Sequence, residues 1–561
     1  MNKETLLREH VNRHSRLRYT VLNLALAKQT QPETDLVILL EDQLLVLLPA
    51  SSKIKMRLNS LLTFSEDFSL FSSRDKQWNW NAKLALQLSF LLDSLAQGSM
   101  DDFAGEAYIY LNGHFQKKYY PAAQQNQSGQ HDSTCLGIVG EDCRNANPNL
   151  AQILNALGPH SLQNTELSLS PDQESYFRYN RQLDILGIGR GTSEQKMCQG
   201  AMFEFTERWV AHLEPEDKLT AAYQDIAQEA LRPDQIWGIS PHQANSEFPG
   251  FREDLVIDWL PATMGDQRKY IPLEMVNYLL DSQASITNSS NSSGCALGNS
   301  PAEASLFSAM EIIERDALLT TWYSRSSPPR FTLNSVTCPR SIAIFKLFDL
   351  WGYELACFDM SLEWNVPSVL VVLAGRSEQQ IACFVTSAAH LNPKIALHSA
   401  LEEAKSLILT SERNYQRLRQ QGQTPGDSDR LGPHQEQYLY YCNPKNRHHF
   451  DFLLTTPESL SYQDFLERHP FQAATAIDLL AQVQRAVKQK GSELIICDNT
   501  PPALRDCGLY SARTYLPNGI HLTFGARAPS IPAQRFHQAA RHVDWVRAIE
   551  VPAQLQVHPL G

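Results

Sequence analysis

One pattern, G-x3-G-[T/N]-S-x10-E-x2-E-R, occurs twice in this chain, from Gly187 to Arg208 and again, 107 positions later, from Gly294 to Arg315. Glycines, a serine and a charged triplet recur at the same spacing in both copies. A chain that repeats these residue types in register is expected to fold both copies into the same local structure. The repeat therefore predicts two equivalent glycine turns, each followed by a helix.

The two glutamates of each copy are three residues apart, so both carboxylates project from the same helix face. These pairs are Glu204 with Glu207 and Glu311 with Glu314, and their neighbours are mostly apolar or bulky. Burying two like charges this close costs free energy unless a cation neutralises them. Carboxylate oxygens favour Mg²⁺, Mn²⁺ or Ca²⁺. Two such helices facing each other would present four carboxylates to a metal.

A serine and a glycine turn precede each pair. Ser193 and Ser300 are good helix N-caps, and free backbone N–H groups at a helix N-terminus can bind an anion. With Arg208 and Arg315 beside the glutamates, the set indicates a nucleotide polyphosphate bound with Mg²⁺. The alternative interpretation is an ordinary solvated helix surface. A di-iron bundle lacks support because its E-x2-H partners are missing.

Composition narrows the class of protein. With 561 residues the chain has room for two to four domains. Its net charge of −12 disfavours general nucleic-acid binding, which needs a basic surface. No apolar run reaches the roughly 18–20 residues that span a bilayer, and the N-terminus is too polar for a signal peptide. We therefore expect a cytoplasmic protein that binds neither nucleic acid nor membrane.

Ten cysteines are present, and none forms a C-x2-C pair. Most have apolar neighbours, which is typical of reduced, buried cysteines in a cytosolic protein. A zinc site that uses Cys135 and Cys143 stays open as an alternative, although their spacing differs from that of a zinc knuckle.

Alternating strand-like and helix-like runs predict an α+β or mixed α/β fold. Residues 35–50 indicate two strands joined by a turn, and residues 81–98 a helix that stops at a glycine. A linker or mobile loop is predicted at 121–134. The main domain boundary is placed at residue 170, which gives domains 1–170 and 171–561.

The second domain contains further patterns. Strands are predicted at 368–375, 381–388 and 493–499, a long helix at 394–421, and a mobile insertion at 421–437. Asn518-Gly519 between β-prone flanks predicts a hairpin with a type I′ turn.

Over residues 175–561, which include both copies of the repeated motif, the chain resembles the YcaO family. The segment "SSGCALGNSPAEASLFSAMEIIERDA" is similar to the family signature S-N-G-x-A-x-G-N-x3-E-A-x6-E-x2-E-R-D-A, and "GRGTSEQKMCQGAMFEFTER" to its first motif. "RTYLPNGIHLTFG" resembles the family's C-terminal V-P-G-x5-F-G segment. Gly200, Ser293 and Ser406 differ from the residues usual in the family, and the C-terminal "QVHPLG" only approaches its proline-rich tail.

The resemblance implies an ATP-binding domain of the YcaO type with an N-terminal accessory or docking domain, and ATP and Mg²⁺ as cofactors. It implies that Mg²⁺ is held by Glu204, Glu207, Glu311 and Glu314, which together with Arg315 form the catalytic set. It implies cofactor-binding positions at Arg190, Gly200, Arg208, Ser293, Arg315, Glu403 and Arg413.

The activity that the resemblance implies is ATP-dependent cyclodehydration. Backbone amides of a ribosomally made precursor peptide would be phosphorylated, and Cys, Ser or Thr would become thiazoline or oxazoline rings. Formation of a thioamide or an amidine, and a non-catalytic peptide-binding scaffold, are the alternatives. The expected partners are a precursor peptide with a leader, an E1-like or leader-binding protein, a flavin dehydrogenase and a second copy of the chain as a homodimer.

Overall fold

The computed structural model describes eight strands by their backbones between residues 19 and 190. Beyond them it describes residues 194–215, 217–280, 286–287, 291–378, 380–422, 437–524 and 530–560. Side chains are described for residues 185–189 and, within those ranges, from residue 200 onward. The predicted helix at 81–98, the linker at 121–134, the pair Cys135 and Cys143, and most of the predicted insertion at 421–437 lie outside the described residues.

Strands and helices alternate along the second half of the chain. The described strands are β1 (Tyr19–Leu22), β2 (Leu36–Glu41), β3 (Leu44–Pro49), β4 (Glu106–Leu111), β5 (His114–Tyr119), β6 (Thr165–Leu169), β7 (Ser175–Asn180), β8 (Ile185–Arg190), β9 (Leu219–Ala222), β10 (Val256–Met264), β11 (Gln267–Pro272), β12 (Cys295–Gly298), β13 (Arg330–Phe331), β14 (Tyr353–Asp359), β15 (Ser368–Gly375), β16 (Cys383–Ala389), β17 (Glu458–Leu460), β18 (Ile495–Asp498) and β19 (Tyr510–Tyr515). The described helices are α1 (Glu194–Val210), α2 (Tyr223–Ile226), α3 (Pro233–Trp237), α4 (Pro241–Glu247), α5 (Leu273–Val276), α6 (Pro301–Ser324), α7 (Pro339–Leu350), α8 (Pro393–Gln420), α9 (Gln437–Cys442), α10 (Asp451–Leu454), α11 (Tyr462–Arg468), α12 (Ala476–Gln489), α13 (Pro502–Arg505) and α14 (Arg535–Ala540). Short 3-10 helices occupy Leu333–Ser335 and Pro444–Phe450.

The chain divides into two compact units. The first comprises Met1–Gly129, Glu166–Arg178 and Ile188–Met202, and the second comprises Gln130–Thr165, Tyr179–Gly187 and Phe203–Gly561. The division into domains 1–170 and 171–561 stays a prediction.

The first unit contains a five-stranded sheet in the order β1-β2-β3-β4-β5. Its first two strands are parallel, and the other neighbours are antiparallel. The predicted pair of strands at 35–50 is confirmed as β2 and β3, with Glu41 opposite Leu44 at the turn. Strands β6, β7 and β8 form a further sheet in that order.

The second unit contains two large sheets. One has the order β11-β10-β18-β19-β12, with β9 also paired to β10, and its described pairs are antiparallel. The other has the order β16-β15-β14-β13-β17. The strands predicted at 368–375, 381–388 and 493–499 are confirmed as β15, β16 and β18.

The position of β15 between two hydrophobic cores explains why its sequence is a continuous apolar run. Val371 and Leu373 point to a core shared with α8, whereas Leu370 and Val372 point to a core shared with α6. Successive side chains of a strand face opposite sides of the sheet. Because both sides are covered by helices, both sets of side chains are apolar.

Helix α6 is the central helix of the second unit. It packs against β12 and β19 of one sheet and against β16 of the other, and most of its side chains are buried. The helix must therefore direct its polar residues into the interior. Its N-cap is Ser300, whose hydroxyl accepts a hydrogen bond from the Glu303 N–H at 3.1 Å, so the predicted cap is confirmed.

The long helix predicted at 394–421 is confirmed as α8. Its N-cap is Asn392, whose side chain accepts a hydrogen bond from the Lys394 N–H at 3.1 Å. Its buried face carries mostly small and aliphatic residues, which pack against β15 and β16.

The hairpin predicted at Asn518-Gly519 is wrong. Asn518 has a φ of 68°, as such a turn needs, whereas the φ of Gly519 is not positive. The described residues 520–524, which would follow the turn, form no strand. The Ile520 N–H instead donates to the buried Asp316 carboxylate at 2.8 Å, and the His521 ring stacks on Trp237. Contacts with distant residues replace the strand pairing that the local sequence favours.

The mixture of helices and mostly antiparallel sheets confirms the predicted α+β class. The cysteines whose side chains are described form no disulfide, and most of them are buried. Among the described helices, none combines the length and apolar character needed to cross a bilayer.

Candidate functional site

The matched glycines of the second motif copy allow close backbone packing. A side chain at Gly298 would place its Cβ 2.3 Å from the Ala304 backbone nitrogen, and Gly294, at a φ of +78°, would place a Cβ 2.4 Å from the Thr514 carbonyl oxygen. Contacts this short are incompatible with any side chain. The glycines therefore let β12 pass directly into α6 while it pairs with β19, which fixes where the helix begins.

In the second copy, two of the backbone amides at the helix N-terminus where an anion cradle is predicted are occupied by side chains. The Asn299 N–H donates to the Glu303 carboxylate, and the Glu303 N–H donates to Ser300. These amides are satisfied by side chains of their own helix and are not free for a phosphate. In the first copy, Ser193 lies outside the described residues.

Helix α1 carries the first glutamate pair. The Arg208 guanidinium donates to Glu204 at 2.6 Å, one turn earlier on the helix, and also to the Leu186 carbonyl. Because Nη1 and Nη2 are both hydrogen-bonded, the guanidinium is fixed beside the pair.

The carboxylates of α1 and α6 lie close to each other. Burial raises the pKa of Glu207 well above its ordinary value, the charges of Glu311 and Glu204 raise it further, and Arg208 opposes them. Burial also raises the pKa of Glu311 to about 7, with Glu314 adding to the rise and Arg315 opposing it. The structure thus brings the two predicted pairs into one crowded group, which we call the carboxylate cluster (Glu204, Glu207, Glu311 and Glu314).

Glu314 is the most firmly held member of the carboxylate cluster. It accepts hydrogen bonds from the Ser387 hydroxyl at 2.6 Å, from the Ala389 N–H at 3.0 Å and from Arg315 at 2.7 Å. Burial nevertheless raises its pKa, and the nearby charge of Glu403 contributes. Helix α8 thus brings Glu403, one of the predicted cofactor-binding residues, close enough for its charge to act on Glu314 and Arg315.

Arg315 lies between the carboxylates. Its Nη1 donates to Glu314 at 2.7 Å and its Nη2 to Glu311 at 3.4 Å. Its Nε is buried and has no hydrogen-bond partner within the described part of the chain. A buried donor of this kind is rarely left unpaired in a native protein, so its position suits a ligand oxygen.

Arg513 is a site residue that sequence reasoning missed. It lies on β19, is only 4% exposed, and its guanidinium lies over the rings of Tyr278 and Tyr515. Its charge lowers the pKa of both Glu207 and Glu311. The only available signal was a single arginine within the strand-like segment "YSARTYLP", since a charged residue on a buried strand requires a partner.

For several of the predicted cofactor-binding residues, no contact with the carboxylate cluster is seen in the described part of the chain. Arg413 is exposed and donates to Leu409 and Thr410 of its own helix. Ser293 is buried, and its N–H donates to Asn291 at 2.9 Å. Gly200 lies half-buried in α1, and Arg190 ends β8 with a side chain outside the described residues.

The carboxylate cluster suits Mg²⁺ bound together with a nucleotide. Among the described residues, no group of three His, Cys, Asp or Glu side chains forms a metal site by itself. Mg²⁺ is commonly held by one or two carboxylates and completed by phosphate oxygens and water. Burial, and then the neighbouring carboxylates, raise the pKa of Glu207 and Glu311, and a bound divalent cation would favour the ionised form of both.

Comparisons with known proteins agree with this geometry. A family model described as YcaO cyclodehydratase, ATP- and Mg²⁺-binding, matches residues 188–519. An uncharacterised protein of Methanothermobacter thermautotrophicus is 25% identical over 222 residues, which are 38% of this chain and 55% of the relative. The chain thus spans about half the length of that curated relative.

Two solved structures share the fold. A heterocyclase in complex with substrate and cofactor is 16% identical, with a TM-score of 0.57 over 97% of this chain and 82% of the heterocyclase. The YcaO protein of Methanopyrus kandleri, bound with AMPPCP and Mg²⁺, is 17% identical, with a TM-score of 0.50 over 69% of this chain and 96% of that protein.

Proposed function

This chain belongs to the YcaO family, whose members bind ATP and Mg²⁺, and from that premise we propose that it is an ATP-dependent peptide cyclodehydratase. Its substrate is a ribosomally made precursor peptide, and its products are thiazoline or oxazoline rings formed from Cys, Ser or Thr. The observation that carries the proposal is the convergence of four glutamates from α1 and α6 beside Arg208 and Arg315.

Each residue of the site has a distinct part in the proposal. Glu204, Glu207, Glu311 and Glu314 hold Mg²⁺, and Arg190, Arg208 and Arg315 contact phosphate oxygens. When bound, MgATP supplies the phosphoryl group that makes the amide oxygen a leaving group, so that peptide and ATP become azoline, ADP and phosphate. Gly200, Ser293, Glu403 and Arg413 complete the proposed cofactor-binding set.

Arg315 is the side chain best placed to donate to a phosphate oxygen during transfer of the phosphoryl group. Its two Nη atoms are occupied by Glu314 and Glu311, so the guanidinium is fixed in one orientation. Its unpartnered Nε can donate a hydrogen bond to an oxygen on which negative charge develops. Fixed donors in a buried site stabilise such charge far more than donors in water do.

Partner proteins belong to the same proposal. The heterocyclase that shares this fold is in complex with its substrate and cofactor, which supports direct binding of the substrate by this chain. We propose that residues 1–170 form a docking domain that binds the leader directly or through an E1-like or leader-binding protein. A flavin dehydrogenase that oxidises azolines and a homodimer of this chain complete the proposed assembly.

The test combines the full-length chain, ATP, Mg²⁺ and the candidate precursor, defined as a short Cys-, Ser- and Thr-rich peptide encoded next to the gene of this chain. Mass spectrometry should show the loss of one water per modified residue, together with an equal release of phosphate. A mass gain from oxygen-to-sulfur exchange would instead identify a thioamide synthetase.

Two variants sharpen this experiment. Glu311→Gln should abolish both the mass loss and phosphate release, whereas the exposed Glu550→Gln, with a side chain 84% exposed, should resemble the wild type. Peptide binding without nucleotide binding or ATP consumption would identify a scaffold and refute the cyclodehydratase.

A further inference from the structure

The C-terminal end of α1 is capped by a side chain from another part of the chain. The Asn277 amide nitrogen donates to the Leu213 carbonyl at 2.6 Å and to the Val210 carbonyl at 3.3 Å, and the Leu279 N–H donates to the Ala211 carbonyl at 3.1 Å. The last carbonyls of a helix have no partner within the helix itself. Residues 277 and 279 therefore supply from outside the hydrogen bonds that the end of α1 lacks.

Asn277 is itself held in one orientation. It is 1% exposed, and its own N–H donates to the Leu273 carbonyl at 2.8 Å. Its side-chain oxygen accepts from the Asn499 amide nitrogen at 3.0 Å, and the Asn499 oxygen accepts in turn from the Ser511 hydroxyl at 2.8 Å. Because backbone carbonyls only accept hydrogen bonds, the Asn277 amide nitrogen must face α1 and its oxygen must face Asn499. A directed chain of hydrogen bonds thus runs from β19 to the end of α1.

The residues on either side of Asn277 hold Arg513 of β19. The Arg513 Nη1 donates to the Val276 carbonyl at 3.4 Å, and the guanidinium lies over the ring of Tyr278. Residues 276–279, which we call the bridging segment, therefore contact both β19 and the end of α1.

Both elements that the bridging segment contacts carry charges of the site. Glu207 lies three residues before Val210, the last residue of α1. Burial raises the pKa of the Tyr278 hydroxyl and the charge of Glu207 adds to this rise, so the two side chains lie close together. Burial likewise raises the pKa of Glu207, and the charge of Arg513 opposes it. The separation of Glu207 and Arg513 therefore depends on how the bridging segment fixes α1 to β19.

A magnesium site is sensitive to such a separation. Mg²⁺ binds oxygens at about 2.0–2.1 Å in nearly ideal octahedral geometry, so a small displacement of a carboxylate weakens the binding. Groups that orient metal ligands without touching the metal accordingly change metal affinity by about tenfold to a hundredfold when they are replaced.

We propose that Asn277 is a positioning residue, which fixes α1 so that its two glutamates face those of α6 at the separation that Mg²⁺ with a nucleotide requires. It acts through the backbone of α1 and touches neither metal nor nucleotide. This inference rests on one part of the proposed function, that the carboxylate cluster holds Mg²⁺.

The substitution Asn277→Asp removes only the donor. The aspartate side chain has nearly the same size and keeps an oxygen for the Asn499 nitrogen, but it places a second oxygen against the carbonyls of Val210 and Leu213. Acceptors that face each other repel, and negative charge is unfavourable at a helix C-terminus. The end of α1 should therefore move away from the bridging segment.

Two further variants complete the set. Asn446→Asp is the matched control, since Asn446 is also buried and its amide nitrogen donates to the Tyr440 carbonyl at 2.8 Å, in a different part of the second unit. Asn499→Ala is a milder variant at a half-buried position. It leaves the bonds from Asn277 to α1 in place but removes the donor that orients the Asn277 amide.

The experiment titrates the full-length chain with AMPPCP at several Mg²⁺ concentrations in a calorimeter, which gives both the affinity and the fraction of protein that binds, and a thermal melt gives Tm. Asn277→Asp should weaken the AMPPCP affinity by about tenfold or more, and higher Mg²⁺ concentrations should recover part of the loss. Asn499→Ala should weaken the affinity by a smaller factor. Asn446→Asp should lower Tm and leave the affinity unchanged.

A merely structural cap would lower Tm and the fraction of protein that binds, while the protein that still binds would keep the wild-type affinity. That result in Asn277→Asp, or in Asn499→Ala if Asn277→Asp does not fold, would overturn this inference. Equal losses of affinity in Asn277→Asp and Asn446→Asp would overturn it as well.

The proposed function can fail separately from this inference. A wild type that binds AMPPCP with Mg²⁺ but forms no ring would refute the cyclodehydratase and leave the role of Asn277 intact. A wild type that does not bind AMPPCP with Mg²⁺ would overturn both.

Discussion

Arg535 donates two hydrogen bonds to the carboxylate of Asp316, at 2.8 and 2.6 Å, and both side chains are fully buried. Asp316 directly follows Arg315 on α6, so this pair ties the helix that carries the site to the C-terminal part of the chain. Arg535 also donates to Glu363 at 2.6 Å, and the Trp364 indole and Ile520 N–H donate to Asp316 at 2.8 Å. The buried charges are thus fully hydrogen-bonded.

Replacing Asp316 with asparagine should lower the free energy of unfolding by about 3–5 kcal/mol, because it leaves the buried Arg535 without its main counter-charge. Urea denaturation measures this directly. The matched control is Asp349→Asn. Asp349 forms an ion pair with Arg376 in which both side chains are exposed, so its loss should lower the free energy of unfolding by no more than about 1 kcal/mol. Equal effects of the two substitutions would contradict the structural role of Asp316.

Replacing Glu311 with glutamine should separate function from stability. ATP turnover should fall by about a hundredfold or more, since a proposed metal ligand is lost. Tm at pH 8 should stay constant or rise, because the raised pKa of Glu311 shows that its charge destabilises the ligand-free protein. Phosphate release and a thermal melt give both numbers. A fall in turnover that merely follows a fall in Tm would argue against the metal assignment.

The carboxyl group of Glu311 also makes the stability of the ligand-free protein depend on pH. Its pKa of about 7 exceeds the ordinary value of 4.5, so the folded state binds more protons than the unfolded state between these values. Its contribution to stability is therefore lost as pH rises through this window. Metal binding needs ionised carboxylates and should strengthen in the same window.

The rise in Tm on adding AMPPCP and Mg²⁺ should consequently be larger at about pH 8 than at about pH 5.5. In Glu311→Gln the ligand-free protein should lose part of its own pH dependence. A stabilisation by AMPPCP and Mg²⁺ that is constant across this range would contradict the role of these carboxylates.

Replacing Arg513 with methionine should move the pH at which AMPPCP and Mg²⁺ begin to bind to a higher value. The guanidinium lowers the pKa of Glu207 and Glu311, so both carboxyls should hold their protons longer without it. Titration calorimetry across pH measures the shift, and Arg505→Met, at a half-exposed position, serves as control. An affinity that drops equally at every pH would indicate lost packing and not lost charge.

Local sequence was sufficient for the features that short-range physics determines. The Ser300 cap, the strand pair β2–β3, the helix α8 and the spacing of Glu311 and Glu314 each depend on residues within a few positions. The fixed offset of the two motif copies added one long-range expectation, that both glutamate pairs serve one site, and the structure brings the four carboxylates together.

The remainder of the site depends on contacts between residues far apart in the sequence. Arg513 lies near Glu207 and Glu311 because β19 pairs with β12. The hairpin expected at Asn518 fails for the same reason, since Asp316 binds the Ile520 N–H. Nothing within a short window of sequence records these partners.

The central claim is that ATP phosphorylates the peptide amide, and the fate of the amide oxygen tests it most directly. The candidate precursor would be synthesised with a heavy oxygen isotope in the carbonyl that precedes its first Cys, Ser or Thr, and then incubated with the full-length chain, ATP and Mg²⁺. Mass spectrometry of the released phosphate should find the heavy oxygen there, in proportion to the rings formed. Rings formed with unlabelled phosphate, or phosphate released with the label still in the peptide, would contradict the account.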